Sequence, residues 1–161
     1  MKPHKISTLL FITDPDDRLL MIERKKAPNL GMWSPPGGKL ETQTGESAHQ
    51  CAVREAYEET GMQLSINDIH LFGMVSERGY EGATHWLMFL FHVIPPLEAL
   101  PKSIDEGTFS WFSRAEIESL PIPPGDSELV WPLFDEKRTG FTCVHADFQG
   151  DNLEIEIEES M

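Results

Sequence analysis

Cysteine is nearly absent. Cys51 and Cys143 are the only two in 161 residues, too few for a disulfide framework, so the chain reads as a reduced, cytoplasmic protein. Long apolar runs are missing as well. The longest, Trp86–Val93, is broken by His92 and falls far short of the roughly 20 residues that cross a bilayer. The early run Leu9–Ile12 is too short for a signal segment and leads straight into Asp14-Pro15-Asp16-Asp17. Positive charge is scarce: 13 Lys and Arg against 27 Asp and Glu leave a net charge of −14. That excludes the basic surface needed by a binder of nucleic-acid polymers or anionic membranes. A phosphate-bearing substrate would have to be drawn in by a divalent metal held on carboxylates.

What is present suits a globular protein. Apolar residues make up 40% and charged residues 25%, which argues against wholesale disorder. The length fits one domain over residues 1–161, as a monomer or homodimer. Strands are expected at 6–13, 19–24, 69–76, 84–93, 108–112, 141–148 and 153–158. In the last of these, Leu153, Ile155 and Ile157 alternate with glutamates, predicting a half-buried strand; an acidic interaction tail is the alternative. A helix is expected over 47–60, stopped by Gly61. A short one follows Ser113, and another runs from about Ser127 to Lys137, with Pro132 delaying or kinking it. Residues 25–44 carry prolines and glycines without a period and read as a long functional loop. Strands with few helices make an α/β chain: a mixed sheet with flanking helices.

The segment Gly37–Met62, GGKLETQTGESAHQCAVREAYEETGM, carries the chemistry. At about 100° per residue, Glu55, Glu58 and Glu59 fall within an arc of roughly 100°. Like charges so spaced cost about 0.2–0.5 kcal/mol per pair, and the helix C-terminus disfavours anions. Arg54 is the only nearby cation. Two readings stand at this point: an acidic solvent face, or an oxygen-only site for Mg²⁺ or Mn²⁺. Gly37-Gly38 would allow close backbone approach.

Arg54-Glu55-Ala56-Tyr57-Glu58-Glu59-Thr60-Gly61-Met62, with Glu46 upstream, resembles the core of the Nudix box, G-x5-E-x7-R-E-U-x-E-E-x-G-U with U bulky and aliphatic. The fixed residues R-E-x-x-E-E-x-G arise by chance on the order of 10⁻⁴ per chain of this length. Two features depart from the pattern. Gly38 stands seven rather than five residues before Glu46, a two-residue insertion, and the first U position holds Ala56.

The resemblance implies an α/β/α sandwich and Mg²⁺- or Mn²⁺-dependent hydrolysis of a nucleoside diphosphate linked to another group. It implies Glu55, Glu58 and Glu59 as metal ligands, with the Gly38 carbonyl a further ligand. Arg54 orients the glutamates through Glu46, and Glu55 or Glu59 takes a proton from water. Asp105-Glu106, Trp111-Phe112, the stretch 124–127 and His145–Gly150 are similar to the oxidised-purine nucleotide diphosphatases within that family. By that similarity Glu106 is an extra ligand or base, against a plain loop carboxylate. Asp126 recognises the base, against an N-cap for the following helix. Ser34, after Trp33, stands where that subgroup commonly has asparagine; both residues are assigned to substrate binding. Arg24, Lys25, Lys26 and Lys39 could meet phosphates or be solvated strand ends. His85, His92 and His145 read as framework residues, and nothing marks Cys51 as a nucleophile.

Three functions follow as alternatives. One is a pyrophosphohydrolase that converts an oxidised or non-standard purine nucleoside triphosphate, such as 8-oxo-dGTP, to monophosphate and pyrophosphate. Another is a hydrolase of ADP-ribose, a nucleotide sugar or a dinucleoside polyphosphate. The third is a non-catalytic nucleotide-binding module, against which the retained glutamate repulsion argues.

Overall fold

In the computed structural model, residues 4–27, 29–80 and 84–161 are described; Pro28, part of the expected loop, lies outside them. Buried apolar strands form the frame. Leu10, Phe11, Ile12, Leu20 and Met21 are fully buried. Successive residues enter opposite cores: Phe11, Leu19 and Met21 one, Leu10, Ile12, Leu20 and Ile22 the other. A run that is apolar at every position is what a strand covered on both faces requires.

In chain order the strands are β1 (His4–Phe11), β2 (Leu19–Arg24), β3 (Trp33–Ser34), β4 (Gly37–Lys39), β5 (Ile69–Tyr80), β6 (Thr84–Val93), β7 (Gly107–Phe112), β8 (Thr142–Asp147) and β9 (Glu154–Ser160). The helices are α1 (Ala48–Thr60), α2 (Arg114–Ile117), α3 (Asp126–Leu129) and α4 (Trp131–Lys137). A six-stranded sheet has the order β4-β1-β6-β5-β8-β9, and a three-stranded sheet the order β3-β2-β7. The larger sheet is mixed: β1 runs parallel to β6 and β5 parallel to β8, while its other pairs are antiparallel. Ala52 and Ala56 of α1 join one core. Ile117 of α2, Leu129 of α3 and Leu133 and Phe134 of α4 join the other. The layers make the expected α/β/α sandwich.

Three expectations need correction. The loop over 25–44 contains β3 and β4, two short strands whose residues lack any apolar period. The helix expected from Ser127 to Lys137 is two helices; Pro132 sits in the first turn of α4, where its missing N–H removes no helical bond. β9 is exposed throughout, with Ile157 63% exposed. Its alternation suits a half-buried strand, but the helical layer ends on Val144 and Ala146 of β8. Among the described residues β9 is an edge strand paired only with β8 and stays exposed, while Leu153 just before it packs against the core.

Candidate active site

Helix α1 is held at both ends by its own sequence. The Ser47 hydroxyl accepts from the Gln50 N–H at 3.1 Å, and Gln50 Oε1 accepts from the Ser47 N–H at 2.8 Å, a capping box. Gly61 ends the helix at φ 79°, in the left-handed region that glycine enters without strain. Between the caps, Ala52 and Ala56 are fully buried, so the small residue at the first bulky position lies against the core.

The glutamates are tied together by Arg54. Its Nε and Nη2 donate to Glu46 Oε2 and Oε1, and its Nη1 donates to Glu55 Oε1 and Glu58 Oε2. Nη2 also reaches the Lys39 carbonyl at 3.2 Å. Arg54 therefore touches Glu55 and Glu58 directly as well as Glu46. The two-residue insertion forms a turn over 42–45 that folds outward, and the Glu41 N–H donates to Glu46 Oε1 at 2.8 Å. Glu46 keeps its place beside Arg54 despite the longer loop. The guanidinium holds the Glu46 carboxyl down to about 2.

The glycine pair brings β4 onto α1. A Cβ at Gly37 would overlap the Thr8 carbonyl, and one at Gly38 would overlap the Glu55 carboxylate. The Gly37 N–H donates to Glu59 Oε2 at 3.1 Å. Cys51 is buried beneath this junction, its Sγ 3.8 Å from the Gly38 carbonyl and 3.7 Å from that of Lys39. Burial pushes its thiol up to about 11, which makes it packing rather than a nucleophile.

A cavity of about 210 Å³ opens beside β4. Arg24, Ser34, Gly38, Lys39, Glu59, Glu106 and Asp126 all line it. Glu55, Glu58, Glu46 and Arg54 stand behind Gly38 and Glu59, off the cavity wall. Trp33 does not line it: its ring packs edge-on against Phe112 at 4.9 Å, so of this neighbouring pair only Ser34 faces the cavity. Burial raises the Glu59 carboxyl to about 8, helped by Glu55, Glu106 and Glu58 and opposed by the Gly37 N–H. Glu55 is raised too, by burial, against the pull of Arg54.

The donor set around this point is oxygen only, which suits a hard divalent cation. Among the described residues, however, no three acidic, His or Cys side chains are drawn together at ligating positions. Arg54 holds Glu55 and Glu58, and Glu59 turns to the Gly37 N–H. The mutual influence of Glu55, Glu58, Glu59 and Glu106 on protonation shows that the four carboxylates share one region. Glu59, half-buried with a single N–H for compensation and pushed up to about 8, is short of positive charge. The residues fit a divalent cation on that chemistry.

Asp126 is not an N-cap. Gly125 caps α3 in the left-handed conformation, and Asp126 is the helix's first residue, 6% exposed on the cavity wall. The sequence reading missed Glu77, which lines the same cavity at 5% exposure. Its signal was available: Gly73, Val75 and Glu77 share one face of β5 by period two, and a charge there breaks an inward apolar row. Trp86 and Met88 of β6 also line the cavity. The histidines are framework groups, with His85 Nδ1 accepting from the Gly79 N–H at 3.0 Å and His145 Nδ1 bonded to Ser76 Oγ at 2.7 Å.

The NUDIX domain model matches residues 3–130. An uncharacterised Nudix hydrolase, YvcI, of Bacillus subtilis is 29% identical over 138 residues, 85% of this chain and 82% of that protein. The oxidised purine nucleoside triphosphate hydrolase of Danio rerio is 29% identical over 154 residues, 94% of this chain and 92% of that protein. Among solved structures, the mutator MutT protein of Bacillus halodurans superposes with a TM-score of 0.73 at 26% identity, covering 96% of this chain and 97% of that one.

Proposed function

The chain belongs to the Nudix family, whose members are hydrolases acting on nucleoside diphosphate derivatives. From that premise we propose that it cleaves a purine nucleoside triphosphate, oxidised or otherwise non-standard, into the monophosphate and pyrophosphate. The observation that carries this reading is the cavity itself. Its lining brings Glu59, Glu106 and Gly38 together with a buried carboxyl, Asp126. The similarity to a relative named for oxidised purine nucleoside triphosphates supports it.

Glu55, Glu58, Glu59, Glu106 and the Gly38 carbonyl are the groups that would hold Mg²⁺ or Mn²⁺. When bound, such a cation neutralises polyphosphate charge and acts as a Lewis acid on phosphoryl oxygen. Arg54 fixes the carboxylates behind the cavity. Glu59, which lines the cavity, or Glu55 would take the proton of the attacking water. Arg24 and Lys39 supply positive charge in the same lining, and Ser34 offers a hydroxyl to the sugar or base.

The test is a substrate panel with Mg²⁺, scored by pyrophosphate and monophosphate release. Purine triphosphates, including 8-oxo-dGTP, should lead in kcat/KM. Preferential turnover of ADP-ribose, nucleotide sugars or dinucleoside polyphosphates would overturn the triphosphate assignment. Nucleotide binding without any turnover would make the chain a non-catalytic module.

A further inference from the structure

Glu77 has no part in the phosphate chemistry above. It sits on β5, faces the cavity with Asp126, and is 5% exposed against 6% for Asp126. Among the described residues neither side chain accepts a hydrogen bond or pairs with a cation. Burying one unpaired carboxyl is costly, and burying two beside each other more so. Buried polar groups in folded proteins are otherwise nearly always paired. The partner these two lack is one that enters the cavity.

Resting on the nucleotide reading of this cavity, we propose that Glu77 is a specificity-determining residue that reads the base together with Asp126, Glu77 accepting adjacent N–H groups while Asp126 donates its O–H to a ring carbonyl. Two neighbouring carboxyls do not both ionise in a buried site. The charge of Glu77 holds Asp126 in its acid form, on top of burial, whereas burial alone raises Glu77 to about 7. Glu77 is therefore the member that ionises first. An acid beside a carboxylate matches a guanine-type edge, which presents one carbonyl oxygen next to two N–H donors. Cytosine presents one amino donor beside two acceptors, and so leaves Glu77 without a second donor. Trp86 and Met88, on the same cavity wall, supply apolar surface for the base. The edge is the same with or without an oxygen at C8, so this pair selects guanine-type bases rather than their oxidation state, and adenine, whose edge carries no carbonyl, does not satisfy it.

The experiment is calorimetric titration of the full chain with GMP and with CMP in Mg²⁺ buffer; neither monophosphate has an anhydride bond to cleave, so no chemistry intervenes. Wild type should bind GMP roughly tenfold or more tighter than CMP. Glu77→Gln replaces one of the two acceptor oxygens with an N–H₂ donor that faces a base N–H, and should bring GMP down to the level of CMP. Asp126→Asn keeps a neutral donor and should retain most of the preference. Glu77→Leu should abolish the preference and melt at a higher temperature than wild type, since it removes an unpaired buried carboxyl. A packing role alone would not separate the two isosteric amide variants. Equal binding of GMP and CMP by wild type, or an unchanged preference in Glu77→Gln, would overturn the proposal. Triphosphate turnover is measured in parallel. Turnover without a GMP preference sinks the base reader and spares the hydrolase, and a GMP preference without turnover does the reverse.

Discussion

Arg54 grips Glu46 through two parallel hydrogen bonds, Nε to Oε2 at 3.0 Å and Nη2 to Oε1 at 2.7 Å. The remaining nitrogen, Nη1, reaches Glu55 at 2.9 Å and Glu58 at 3.2 Å. A planar fork makes the two parallel bonds to Glu46 and still has Nη1 for Glu55 and Glu58, whereas an ammonium, with three donors on one atom, cannot make the bidentate pair. Arg54→Lys should thus keep the charge but lose the orientation. We expect kcat to fall by about 10–100-fold with far-ultraviolet circular dichroism unchanged. Steady-state kinetics at saturating Mg²⁺ checks it, and wild-type kcat would remove Arg54 from the positioning role.

Glu59 is a half-buried carboxylate that lines the cavity. Glu59→Gln should lower kcat by about 10²-fold or more. In chelator above pH 8 the same variant should melt above wild type, because wild type then carries a half-buried charge that glutamine lacks. A lower melting temperature under those conditions would assign Glu59 a structural role.

Protonation couples these carboxyls to stability, with a sign that follows from their shifts. Glu77 is raised from 4.5 to about 7 and Glu59 from 4.5 to about 8. Between pH 4.5 and 8 the folded chain keeps protons that the unfolded chain has released. Metal-free stability is therefore greatest, on this account, below pH 4.5 and falls as pH rises through the window. At about 1.4 kcal/mol per pH unit, Glu77 contributes a loss of about 3 kcal/mol by pH 7. Glu46, held at about 2, acts oppositely, and its contribution is lost as pH falls from 4.5 towards 2. Denaturant melts across the range should show the fall, and Glu77→Gln should flatten it between pH 4.5 and 7.

Chelation should abolish turnover, and Mg²⁺ or Mn²⁺ should restore it. Because Glu59 must release its proton to ligate, the metal concentration for half-maximal activity should drop as pH rises towards 8. Metal should also raise the melting temperature, by the equivalent of about 2.7 kcal/mol at 100 times its dissociation constant. Full activity in chelator would end the metal reading.

Gly38→Ala places a methyl group in the Glu55 carboxylate. The end of a flexible side chain can swing aside, so we expect little stability loss but a clear loss of metal-dependent activity as Glu55 is displaced. A thermal melt and a metal titration separate the two effects.

Helix α1 was legible because everything it needs is local. Ser47 and Gln50 cap its start, Gly61 its end, and a period near 3.6 puts Glu55, Glu58 and Glu59 on one face. β1 and β2 were legible because strands covered on both sides show as unbroken apolar runs. Burial, by contrast, depends on what the rest of the chain lays over a residue. The alternation of Ile155 and Ile157 predicts an inner face, yet both stay exposed. Trp33 and Ser34 are neighbours in sequence, but the strand pleat sends only Ser34 to the cavity. Asp126 reads locally as a cap until Gly125 takes that place and the carboxyl turns inward. Sequence alone determined which residues could gather charge on a helix; only the tertiary structure decided that Glu77 and Asp126, on a strand and a helix far apart in the chain, would line one cavity and be left there without partners.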